Sequence, residues 1–92
     1  MAIVTLRYWA AAKEAAGIDE ETISAETLAG ALAAARGKAE YAGHVGQDPR
    51  LRAVLARSSF LIDGLPVGTR APEVVMLSDS AVIEVLPPFA GG

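Results

Sequence analysis

The 92-residue chain contains no cysteine, which removes disulfides, thiolate metal ligands and a thiol nucleophile together. Its one histidine, His44, sits in the Gly-rich stretch Gly43-His44-Val45-Gly46, and a lone histidine in such a setting is read as a solvated loop residue with no role in binding or catalysis. No metal site is expected. Aromatic residues make up only 5% of the chain, and eight Lys and Arg are outnumbered by eleven Asp and Glu, for a net charge of −3. There is no basic stripe interleaved with aromatics to follow a phosphate backbone, so nucleic acid is not an expected partner. No apolar run approaches the ~18 residues needed to span a bilayer, and no basic region followed by an apolar signal segment opens the chain. A cytoplasmic location without a membrane partner is the expectation.

What is present is apolar: hydrophobic residues make up 52% of the sequence, many of them alanine. Alanine adds little buried area and suits close helix packing. The length fits one domain, and a chain of this size buries only about 60–65% of its unfolded surface, so its core has to be dense.

The first segment, Ile3-Val4-Thr5-Leu6-Arg7-Tyr8-Trp9, alternates and is rich in β-branched and aromatic residues, which predicts a strand. Ala10–Ala16 is helix-forming and is closed by Gly17, a residue suited to a left-handed cap. Glu20–Ser24 has the look of an exposed edge strand returning onto the first. Thr27 is a candidate N-cap for a helix running through Arg36 and ended by Gly37, with Leu28, Ala31, Leu32 and Ala35 on one apolar face. From Lys38 to Gln47 no period is visible.

Asp48-Pro49 reads as an N-cap followed by proline at the first helical position, with Leu51, Val54 and Leu55 inward and Arg50, Arg52 and Arg57 outward. Ser59–Ile62 predicts a buried strand, Asp63-Gly64 a tight turn, and Leu65-Pro66-Val67 a short return strand that Pro66 confines to an edge. Glu73–Leu77 is expected to be extended. After the polar turn Ser78-Asp79-Ser80, the near-continuous apolar run Ala81–Leu86 predicts a central strand, pairing in parallel with the first.

Pro87 and Pro88 then stop the ladder, because each lacks an N–H and fixes φ. Phe89 offers one apolar anchor, and Ala90, Gly91 and Gly92 leave a thin end with almost no side chain. Four extended residues from Phe89 reach about 13 Å, enough to bring a terminal carboxylate at Gly92 into another protein's active site. Residues 1–88 are thus expected to form the domain and residues 89–92 a flexible tail.

The order of elements is that of an α+β β-grasp: a mixed sheet of four to five strands with one main helix across one face. In this order the chain resembles ubiquitin-like proteins. More narrowly, the tail Pro87-Pro88-Phe89-Ala90-Gly91-Gly92 resembles that of the MoaD family, the small sulfur-carrier subunit of molybdopterin synthase. The stretch Tyr8-Trp9-Ala10-Ala11-Ala12-Lys13-Glu14-Ala15-Ala16-Gly17 is similar to that family's aromatic pair, short helix and glycine after the first strand. One departure is Phe89, which is larger than the small aliphatic residue common there.

The resemblance implies a carrier that is no enzyme on its own but the sulfur-donor subunit of a sulfurtransferase complex. An ATP-dependent activating enzyme would adenylate the Gly92 carboxylate, and a persulfide would replace AMP to leave a thiocarboxylate. The tail would then enter the large synthase subunit and give its sulfur to a pterin precursor. The chain itself would bind no cofactor, and ATP would be used by the activating partner. The family's docking surface is an apolar patch on the sheet, for which Trp9, Leu65 and Leu86 are the candidates beside the tail residues, with ordinary core the competing reading. The Gly-Gly end is shared with sulfur carriers for thiamine or cysteine synthesis, although the Pro87-Pro88 spacer favours molybdopterin over thiamine. It is also shared with modifiers conjugated through the terminal glycine to a lysine.

Overall fold

Among the described residues, five strands and three α-helices form, most of them where local signals place them. The structure, a computed structural model, describes residues 1–38 and 47–88. Strand β1 (Ala2–Tyr8) is followed by α1 (Ala10–Ala16), strand β2 (Glu20–Ala25), α2 (Leu28–Ala34) and α3 (Pro49–Arg57). Strands β3 (Ser59–Ile62), β4 (Leu65–Pro66) and β5 (Val82–Leu86) complete the sheet, with a 3-10 turn over Pro72–Val74. The sheet order is β2-β1-β5-β3-β4. β1 and β5 pair in parallel at the centre, and the remaining pairs are antiparallel. This is the α+β β-grasp architecture.

The caps expected from sequence are in place. Gly17 adopts φ 76° and its N–H donates to the Lys13 carbonyl, closing α1 in the left-handed conformation that favours glycine. The Thr27 hydroxyl accepts from the Gly30 N–H at 3.1 Å. The Asp48 carboxylate accepts from the Arg50 N–H at 2.8 Å, with Pro49 opening α3. Asp63 and Gly64, at φ 50° and 83°, make the primed turn between β3 and β4. Asp63 also clips that turn to β5: its backbone N–H donates to the Val82 carbonyl at 2.9 Å and its carboxylate accepts from the Val82 N–H at 3.0 Å.

Three expectations change. The helix expected to run from Thr27 through Arg36 to a stop at Gly37 ends at Ala34, because the next residue, Ala35, is extended. The N–H groups of Arg36 and Gly37 turn to the Glu21 carboxylate (3.1 and 2.6 Å), while the Gln47 side chain donates to the carbonyls of Leu32 and Ala35 (2.7 and 2.8 Å). A side chain from β2 and another from the start of the next segment thus satisfy groups that one more helical turn would have used. The segment expected to be extended over Glu73–Leu77 begins as the 3-10 turn, and only Met76 makes a bridge, to Thr27. Strand β3 is half-buried rather than buried: Ser59 and Leu61 project from the open face, and Phe60 and Ile62, on the other, are only partly covered.

Val4, Leu6 and Tyr8 of β1 and Ile83 and Val85 of β5 are sealed beneath the helices. They pack with Ala12 and Ala16 of α1, Leu28 and Ala31 of α2, and Leu51, Val54 and Leu55 of α3. Nearly half of these helix contacts are alanines, which bring helices close to the sheet without bulk. Among the described residues no helix is long and apolar enough to cross a membrane.

Candidate functional site

The parallel pairing of β1 and β5 is what defines the site. Register partners Thr5 with Val82 and Tyr8 with Val85 run the two strands side by side, so that they finish at the same end of the sheet. There Trp9 leaves β1 extended (φ −120°, ψ 150°) and its N–H donates to the Val85 carbonyl at 3.3 Å. The Trp9 carbonyl accepts from Ala12 and Lys13, so the same residue starts α1. Leu86 closes β5 beside it, followed by Pro87, half-buried, and Pro88, exposed. The strand stops where the prolines were expected to stop it.

Core packing does not account for Trp9, which is 46% exposed, nor for Leu65, which is 70% exposed. The three patch candidates are not brought together, however. Trp9 and Leu86 are neighbours on the open face. Leu65 pairs with Ile62 at the hairpin turn, whereas Leu86 pairs with Ser59 at the other end of β3. Directly opposed residues share a face, so Leu65 lies on the side of Ile62 and Ile83, across the sheet from Leu86. Residues Phe89, Ala90, Gly91 and Gly92, on which the carrier reading chiefly rests, lie outside the described residues, as does His44.

The residues that do join Trp9 and Leu86 are ones that sequence reasoning did not single out. The open face carries Ile3, Thr5 and Arg7 from β1, Val82 and Glu84 from β5, Leu61 from β3 and Pro66 from β4. The signal was available in the alternation of β1 and β5, since positions between the buried ones must face the other way. Next to Trp9 a cleft of about 240 Å³ is lined by Arg7, Tyr8, Lys13, Asp19 and Glu20. Its charges are internally paired: Lys13 Nζ lies 2.9 Å from Asp19 and Arg7 Nε 3.4 Å from Glu20.

Beneath the cleft, the buried Tyr8 hydroxyl donates to the Glu21 carboxylate. Burial first, and then that hydrogen bond and the nearby negative charge, push the Tyr8 phenol above its ordinary range. The same carboxylate holds Arg36 and Gly37, so Glu21 ties β1, β2 and the end of α2 together. Asp48 is held below the usual carboxylate range by hydrogen bonds from the Arg50 side chain and backbone. Among the described residues no cluster of His, Cys, Asp and Glu could hold a metal ion. What the described residues offer is a largely apolar sheet face beside the end of β5.

Several solved structures share this fold. The chain superposes on small archaeal modifier protein 1 from Methanosarcina acetivorans with a TM-score of 0.68 and 24% identity, over 100% of this chain and 98% of that one. It matches a chain of the complex between subunits 1 and 2 of the Helicobacter pylori molybdopterin-converting factor with a TM-score of 0.62 and 22% identity, over 98% and 99%. A Pyrococcus furiosus protein assigned to subunit 1 of such a factor gives 0.65 and 22%, over 97% and 100%. No protein-family model matches the sequence, and no curated protein is similar to it in sequence. At these identities the likeness is one of fold.

Proposed function

We propose that this chain is a sulfur carrier of the molybdopterin type, activated at the carboxylate of Gly92 and docked through the open face of its sheet. The observation that carries the reading is the junction at Leu86. A central strand, locked on both sides, ends at two prolines beside an exposed tryptophan, and the sequence beyond them narrows to Ala90-Gly91-Gly92. Likeness in fold to a subunit of the Helicobacter pylori complex supports a large-subunit partner.

The chemistry follows from what the chain lacks. A carboxylate is a poor electrophile until it is converted to a mixed anhydride, and the sequence offers neither a thiol nor an acid–base pair to do this. As the resemblance implies, an ATP-dependent activating enzyme adenylates Gly92, the outer sulfur of a partner's persulfide displaces AMP to give an acyl disulfide, and a second thiol of the partner cleaves its S–S bond, forming a disulfide and releasing the thiocarboxylate that is delivered to the pterin precursor. Threading a narrow channel explains glycine at both terminal positions, since a Cβ there adds width and removes backbone freedom. ATP belongs to the activating partner, and this chain contributes the tail and the docking face.

The test is the intact mass of the protein isolated from its own cells after alkylation, with the adduct located by fragmentation. An alkylated thiocarboxylate at Gly92 is expected, lost on adding the large subunit and pterin precursor, while Gly92→Ala abolishes loading. A second reading, a modifier joined through Gly92 to lysines of other proteins, draws support from the likeness to the archaeal modifier. Finding Gly92 only as an amide to lysine would replace the first reading with the second.

A further inference from the structure

The open face is mostly apolar or hydroxylic, and its ionisable side chains lie in one row across three strands. Arg7 is in register with Glu20 of β2 on one side and with Glu84 of β5 on the other. The row is unbalanced: two carboxylates flank one guanidinium. Arg7 leans outward, with Nε 3.4 Å from Glu20, and both of these side chains are exposed. Glu84 is different. It is half-buried at the centre of the sheet, opposite Leu61 and between Val82 and Leu86 along its own strand. Among the described residues it has no hydrogen-bond or ion-pair partner.

An apolar surface laid over this face would strip water from a carboxylate that has no partner among the described residues, and such desolvation opposes association. The apolar residues around Glu84 and the charge on it therefore make opposite demands, unless the covering surface supplies the missing charge. We infer that the protein covering the open face places a lysine or arginine against Glu84, and that this pair selects the partner and fixes its orientation. The inference rests on the proposed role of this face in docking a large subunit. The sign is set by the face itself, which is left with one unpaired negative charge in a chain of net charge −3. Such a pair rejects surfaces with an anion or no charge at that point, a discrimination that apolar area alone does not provide.

The experiment is calorimetric titration of the full chain with the molybdopterin-synthase large subunit encoded in the same genome, at low and high salt. Glu84→Gln is expected to weaken binding about tenfold to a hundredfold and to flatten the salt dependence. Glu84→Lys should weaken it further, and a Lys→Glu or Arg→Glu change in the large subunit should restore it. Glu73→Lys, on the 3-10 turn beside α2, makes the same change in net charge and should leave the affinity within about twofold. Thermal unfolding of each variant checks that the sheet is intact, and Glu84→Gln, nearly isosteric, decides the matter if Glu84→Lys does not fold. If Glu84→Gln binds as the wild type does with the same salt dependence, the inference is wrong while the docking role stands. If the wild-type chain does not bind the large subunit at all, both are wrong.

Discussion

Residues one position apart in β1 and β5 live in different surroundings. Val4, Leu6, Tyr8, Ile83 and Val85 are sealed under three helices, whereas Ile3, Arg7, Trp9, Glu84 and Leu86 project from the opposite face, where no described element covers them. The same backbone ladders hold both sets. The covered face stabilises the fold, and the open face is an apolar surface with a charged row in it that folding leaves unused. In a 92-residue chain that division is economical, because the described helices all lie on one side of the sheet.

Substitutions on the two faces should therefore separate stability from association. The largest effect is expected for Ile83→Ala, which removes a fully buried side chain from the centre of the core and should cost about 3–4 kcal/mol in chemical denaturation. Trp9→Ala should move the unfolding midpoint little, yet weaken binding to the large subunit by about 2 kcal/mol if it anchors the interface. An unchanged affinity would remove Trp9 from the docking surface. Gly37→Ala should destabilise by roughly 2 kcal/mol, since Gly37 has φ 67° and a Cβ there would stand 2.6 Å from the Ala16 carbonyl oxygen.

Smaller still is Tyr8→Phe, expected to cost about 1–2 kcal/mol by removing one donor from Glu21. It also carries a pH signature. The folded state holds the phenol protonated above its unfolded pKa of about 10, so the contribution is complete below that pH. It declines as pH rises further, by roughly 1.4 kcal/mol per unit. Tyr8→Phe should flatten that alkaline loss of stability, measured by denaturation at a series of pH values. An identical slope in the variant would mean that Tyr8 is not the group responsible.

The legible parts of the fold were those specified by neighbours in sequence. Gly17, Thr27, Asp48-Pro49 and Asp63-Gly64 each act through hydrogen bonds or φ values within a few residues, and each was placed correctly. The end of α2 was misjudged because its stop signal is remote: Glu21, 15 and 16 residues earlier, takes the N–H groups of Arg36 and Gly37. Leu65 and Leu86 are both apolar candidates for the docking patch that the resemblance implies on the sheet. Only the register, Leu65 with Ile62 and Leu86 with Ser59, shows that they occupy opposite faces. Glu84 is illegible in the sequence for a related reason, since a single carboxylate in an apolar strand acquires meaning only through its cross-strand neighbours.

The central place of β5 has a mechanical consequence. Pulled through the residues that follow Leu86, β5 carries the load along its own axis, with hydrogen-bonded ladders to β1 on one side and β3 on the other. Both ladders are then sheared at once, so their bonds share the force instead of opening one after another. A force applied there therefore meets the whole width of the sheet, and the domain behind that point resists being unravelled.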